Sequence, residues 1–334
     1  MIRKVLLFVV IALAVWGFAR AAFAEGPAFD LQPGTQVLEP VKFQQLAVFP
    51  IVQRAATPAD AAQYLSLADG LRRKLVAVAE DPRGAQVNRV NVANHGSSPL
   101  LLLGGEIILG GQQDRILGKD TILPAGEEAS LEVFCVEHGR WSGKREFHGS
   151  GGMVEGKTRM RAKYRSDQGQ VWDEVAKKTA ALKAQSATGT YRSLATGAEG
   201  ERAVKPYRDA VKAALARLPE SAKMVGVIAA VNGRVTSVDV FATPALFSAY
   251  RDQLLDSIFV SAADVPRTSA ADKAPSQADI HAFVNNAEAA ADEEVAKNKG
   301  GRTVEKKGLG VVNSKVIPAG ASAKPVYQSY QSAE

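Results

Sequence analysis

The sequence predicts an α+β fold: an antiparallel β-rich core, a bent sheet or sandwich-like, with several helices packed on it. Three observations predict it. Across residues 100–141 short apolar runs are cut by the pairs Gly104-Gly105 and Gly110-Gly111, and runs so short read as strands rather than helix turns. Further on, MVGVIAAV and RVTSVDVF flank Asn232-Gly233, a hairpin signal because both central residues of a type I′ turn need φ > 0. Segments 171–186 and 201–218 are rich in Ala and Lys and read as helices.

Taken in order, residues 1–4 are basic, residues 5–18 are apolar, and Ala22-Phe23-Ala24 offers the small-x-small pattern read by signal peptidase. The expectation is a signal peptide over residues 1–24, cleavage after Ala24, and a periplasmic or secreted protein that meets the membrane only through this segment. Arg3, Lys4 and Arg20 lie in it and account for half of the formal charge of +6. The remaining surplus is mild and points to no nucleic-acid partner. A single cysteine permits no internal disulfide, so the exported chain relies on its core, for which 46% hydrophobic residues suffice.

Residues 25–330 read as one domain. FQQLAVFPIV over 43–52 is a strand in which Pro50 predicts an edge position. Thr57-Pro58 has the N-cap and first-turn signature of a helix that continues through 67 and again over 70–75. Strands follow at 76–80 and 87–93, then at 100–103, 107–109, 112–117 and 131–137. In the last of these Leu131, Val133, Cys135 and Glu137 share one face. An apolar line that ends in an inward carboxylate needs a partner, and Arg115 is the candidate for Glu137.

SGKREFHGSGG after Trp141 reads as a flexible Gly/Ser-rich loop opening a basic segment that holds Lys144, Arg145, Lys157 and Arg159. Such a segment is either a solvated loop or a holder for an anionic small molecule. Thr243-Pro244 opens another helix, to about 257, and residues 264–275 resemble a linker. Ser276 and Asp279 give a capping-box-like start to a helix expected to end before Gly300. Terminal strands are expected at 308–317 and 326–330. There is no internal repeat.

The pattern GGE…GGxQDR…CVExGRW resembles the ARG and Rhodanese-Phosphatase-superfamily-associated protein domain (ARPP) family. Arg161 with Trp172, the VNGRV hairpin followed by FATPALF, and the closing GLG…SKV…VYQ sit in the order that likeness implies, so it spans most of the chain. The resemblance implies a probable site at Glu106, Gln113, Arg115, Glu137, Trp141 and Arg161, and a link to nucleotide or ADP-ribose metabolism. The export signal departs from that link.

Two function classes stay open. One is an exported, non-enzymatic module that binds a ligand or partner near Glu106, Arg115 and Glu137. The other is a hydrolase-like enzyme in which Glu106 and Glu137 form an acid/base pair and the basic segment holds an anionic substrate. Cys135 reads as a buried structural thiol, because His138 lies on the other strand face and cannot serve it as a base. The histidines show no metal-ligand spacing, so neither a metal site nor a cofactor is expected. No P-loop, nucleophile elbow or dinucleotide fingerprint is present.

Overall fold

A computed structural model describes residues 34–54, 63–81, 84, 86–320 and 324–333. The predicted signal peptide and the Thr57-Pro58 helix start lie outside the described residues. The fold is α+β, with antiparallel sheets, a closed barrel and seven α-helices among the described residues.

The largest sheet has nine strands. They are β1 (Thr35–Val37), β2 (Val41–Phe43), β3 (Leu46–Gln53), β13 (Met224–Val231), β14 (Arg234–Phe241), β15 (Glu293–Asn298), β16 (Gly301–Lys307), β17 (Val311–Pro318) and β18 (Tyr327–Ser332). Their order is β1-β3-β13-β14-β18-β17-β16-β15, with β2 also on β3. The β13–β14 hairpin closes where the sequence predicts, with Asn232 at φ 49° and Gly233 at φ 74°. Pro50 does not mark an edge: β3 is flanked on both sides. The Pro50 carbonyl accepts from Leu38 N–H, so its missing N–H faces that same side. There it meets the gap between β1, whose pairing ends at Val37–Ile51, and β2, whose pairing starts at Val41–Val48. The ladder therefore loses no bond to the proline.

Six strands form a closed barrel in the order β11-β6-β5-β12-β8-β9. These are β5 (Val76–Ala79), β6 (Arg89–Asn94), β8 (Glu106–Gly110), β9 (Arg115–Leu117), β11 (Glu128–Cys135) and β12 (Glu146–Met153). β12 is the segment expected as a loop. It pairs with β5 in regular register and with β8 through two register shifts, and Gly151 fits against β8 because it has no side chain: a Cβ there would lie 2.7 Å from Ile107 Cγ2. A small sheet of β4 (Leu65–Ser66), β7 (Leu100–Leu102) and β10 (Thr121–Leu123) links the barrel to β15 and β16.

The helices are α1 (Leu67–Arg72), α2 (Gly156–Met160), α3 (Gln168–Ala181), α4 (Ser193–Thr196), α5 (Ala198–Ala216), α6 (Pro244–Ala263) and α7 (Gln277–Glu288). α1 is shorter than expected, because Ser66 caps it after Leu65-Ser66 has joined β7. α7 has the expected capping box at Ser276 and Asp279 but ends at Glu288, and the chain returns as β15 rather than continuing to Gly300. Apolar residues of α5 and α6 cover one face of the main sheet and α7 covers the other. A third cluster fills the barrel, including Val78, Val92, Ile108 and Val133.

Candidate functional site

Four of the six sequence-predicted site residues gather at one end of the barrel. Arg115 is fully buried, and its partner is Glu80, not Glu137: Nη2 donates to Glu80 Oε1 at 2.8 Å. Nη1 donates to the carbonyls of Gln86 and Val87. The expected pair fails for a geometric reason. Arg115 pairs across from Cys135, whereas Glu137 lies past the end of β11, where the strand alternation no longer holds. Its carboxylate accepts from Arg140 Nε at 2.7 Å, Thr188 Oγ1 at 2.8 Å and Asp114 N–H at 3.2 Å. Burial alone would raise the Glu137 carboxyl, but these donors outweigh it and hold its pKa below the ordinary value.

Gln113 Nε2 donates to the Glu137 carbonyl at 2.8 Å, and Arg140 also reaches Asp114. Trp141 is half-exposed, with its ring centroid 5.8 Å from Arg115 Cζ. Cys135 is wholly buried, and burial pushes its thiol up to about 11. The His138 ring packs edge-on against Trp172 at 4.4 Å.

Glu106 and Arg161 lie elsewhere. Ile108, Arg115 and Cys135 are level across β8, β9 and β11. Glu106 therefore falls two residues to one side of that line and Glu137 two residues to the other, about 13 Å apart along the strand direction alone. Glu106 is fully buried and accepts from Leu103 N–H at 2.8 Å and Gln253 Nε2 at 3.0 Å. Burial raises its carboxyl to about 7. The geometry keeps the two carboxylates from acting on one bond. Arg161, on a π-helical turn after α2, bonds to Gln170 at 3.1 Å and to Glu174 at 3.4 Å.

The basic segment is not a loop of free charges. Arg159 is buried and donates to Asp239 at 3.1 Å, to the Gly104 carbonyl at 3.0 Å and to the Tyr327 hydroxyl. Lys163 is fully buried on Asp120. These cations tie the helix to both sheets. Of the four basic residues named from the sequence only Arg159 is buried; Lys144, Arg145 and Lys157 are exposed, and Arg145 donates to the Glu80 carbonyl at 3.3 Å.

A cleft of about 930 Å³ opens across the end of the main sheet, by the β13–β14 turn and the end of β18. Its walls come from α2, α6, α7 and the 264–270 stretch, and its apolar lining includes Ile258, Phe283 and Val311. Asn232 holds that stretch in place, donating to the Pro266 carbonyl at 3.0 Å and accepting from Thr268 N–H at 3.0 Å. Glu155, Lys178 and Asp264 also line the cleft. The Glu155 carboxylate caps α2, accepting from the N–H groups of Lys157 and Thr158. Lys178 Nζ lies 3.6 Å from Glu155 and donates to Asp264 Oδ2. Burial is the main influence that raises the Asp264 carboxyl; Lys178 pulls it back and Glu155 adds to the rise.

Sequence reasoning missed these three residues. The only local signal was Glu155 just before a helical turn, a carboxylate at an N-cap position. Asp264 fell in the stretch read as a linker. Among the described residues no group of three His, Cys, Asp or Glu side chains is placed to hold a metal ion.

A family model described as the ARG and Rhodanese-Phosphatase-superfamily-associated Protein domain, ARPP-1, matches residues 34–330. The chain belongs to the ARPP-1 family. Comparison with curated proteins and with solved structures finds no match. In this ARPP-1 domain the residues of GGxQDR and CVExGRW close one end of the barrel upon themselves. The cleft lies apart from them, between the main sheet and the helices.

Proposed function

We propose that this ARPP-1 domain is an exported, non-enzymatic module that binds a ligand or partner in the cleft at the end of the main sheet. One observation carries the reading: the motif carboxylates Glu106 and Glu137 are separated and each satisfied by internal donors, while the large cleft is lined by other residues. A binding site is typically concave and mostly apolar, with a few convergent polar groups, and the cleft has that make-up. Exposed Lys157 stands on its rim with no ion-pair partner among the described residues.

The test is a calorimetric screen of nucleotides, ADP-ribose, sugar phosphates and short peptides at low and high salt. It is repeated on Ala282→Trp, which places an indole on the exposed α7 position lining the cleft. Binding that A282W abolishes supports the cleft. Ligands that bind A282W equally well place the site elsewhere, and turnover of any of them, lost in Glu106→Gln, restores the enzyme reading.

Export is part of the proposal. Ala22-Phe23-Ala24 leads us to expect cleavage after Ala24, so intact-mass measurement on periplasmic material gives a chain beginning at Glu25. Uncleaved chain in the inner membrane would sink this part.

A further inference from the structure

We propose that the cleft takes a ligand bearing an ammonium group on an apolar body, with Asp264 as the acceptor for that group. The inference rests on the cleft reading above and adds the chemistry of the ligand. In the floor two carboxylates, Glu155 and Asp264, share one ammonium, Lys178 Nζ. Both Glu155 oxygens are further satisfied by α2 N–H groups, with the Thr158 hydroxyl at 2.6 Å on Oε1. Asp264 differs. Its side chain is only 10% exposed, Oδ2 accepts from Lys178, and Oδ1 is buried with no donor among the described residues.

An acceptor left without a donor in such a place is costly. The neighbouring charges leave this need unmet. Arg159 is spent on Asp239, Tyr327 and the Gly104 carbonyl. Lys157 influences Asp264 through its charge but donates no bond to it. Ile258, Val265 and Phe283 line the same space, so a donor arriving at Asp264 brings an apolar body into contact with them. An ammonium satisfies the free lone pairs with a charge-assisted bond, which a neutral hydroxyl matches only in part.

The test uses matched probes on the mature protein, hexylammonium and hexanol, titrated by NMR chemical-shift change with melting curves recorded alongside. Both probes are expected to bind and both to lose binding in A282W. Hexylammonium should bind at least about tenfold tighter, a typical gain for a charged hydrogen bond. Asp264→Asn should remove that advantage and leave hexanol unchanged. Lys157→Gln alters only an exposed residue, so it keeps the fold, and it should tighten hexylammonium several-fold by removing a like charge. If the two probes bind the cleft equally, as they would if a water already satisfies Oδ1, or if K157Q brings no gain, the ammonium assignment is overturned while the cleft reading stands. If neither probe binds, or A282W changes nothing, both fall.

Discussion

Arg115 and Glu80 are each fully buried, and each keeps one polar atom, Nε and Oε2, with no hydrogen-bond partner among the described residues. Removing one partner of such a pair strands the other charge, a loss of about 3–5 kcal/mol, far above that of a surface pair. Arg115→Met and Glu80→Gln should each lower the denaturant midpoint sharply, and the double variant should cost much less than the sum. Additive effects would mean that the two side chains do not depend on one another. Glu106 gives the pH dependence. Burial lifts its carboxyl from an ordinary 4.5 to about 7 in the folded chain, so between those values the native state holds a proton that the unfolded state releases. Its contribution is fully present below pH 4.5 and is lost as pH rises through 7, in total about 3 kcal/mol. Glu106→Gln keeps the hydrogen-bonding shape without the charge. Stability measured from pH 5 to 8 should therefore fall less in E106Q than in the unaltered protein, and parallel curves would refute the assignment.

At the scale of elements, the β13–β14 hairpin shows what the sequence reveals. Its turn needs two positive φ angles, and Asn232-Gly233 states that need locally. Gly233 also leaves no room for a side chain: a Cβ would sit 2.5 Å from the Ala270 carbonyl oxygen. Gly233→Ala should thus cost about 1–2 kcal/mol of left-handed strain plus the displacement of the 264–270 wall. A melting temperature equal to that of the unaltered protein would contradict this. The capping box of α7 is legible for the same reason, since cap and partner lie three residues apart. Where a partner is distant, legibility fails. β12 looks like a loop because the demand that Gly151 meets comes from Ile107 and Leu109 on β8. β15 looks helical because its Glu and Lys have little strand propensity, and pairing with β16 holds it extended. The site divides likewise. Gln113 meets Glu137 and Trp141 meets Arg115 because their segments adjoin, but the true ion-pair partner of Arg115 lies 35 residues upstream across the barrel. The cleft joins helices and strand ends from across the chain, and no spacing announces that.

The whole molecule is held together by buried charge as well as apolar contact. Lys163 on the helical segment meets Asp120 from the barrel side, and Asp120 also accepts from Ser314 of β17 at 2.7 Å. Lys119 reaches Glu305 of β16 at 3.2 Å, while Arg159 joins Gly104 to Asp239 of β14 and Tyr327 of β18. Every one of these groups loses its partner if barrel and main sheet separate, and an unpaired buried charge is strongly unfavourable. The two parts should therefore unfold together. Of the three tryptophans, Trp141 and Trp172 lie near the barrel mouth and Trp16 within the predicted signal peptide. Fluorescence of a chain lacking residues 1–24 thus follows the barrel side, while far-UV circular dichroism follows both parts. The two denaturant curves should coincide in a single transition. Arg159→Met breaks the link to Asp239 and Tyr327 inside the molecule, so it should move both curves together to a much lower midpoint, by about 3–5 kcal/mol. A fluorescence transition that separates from the dichroism curve, in either protein, would show a barrel able to melt without the sheet and would remove the buried network from its uniting role.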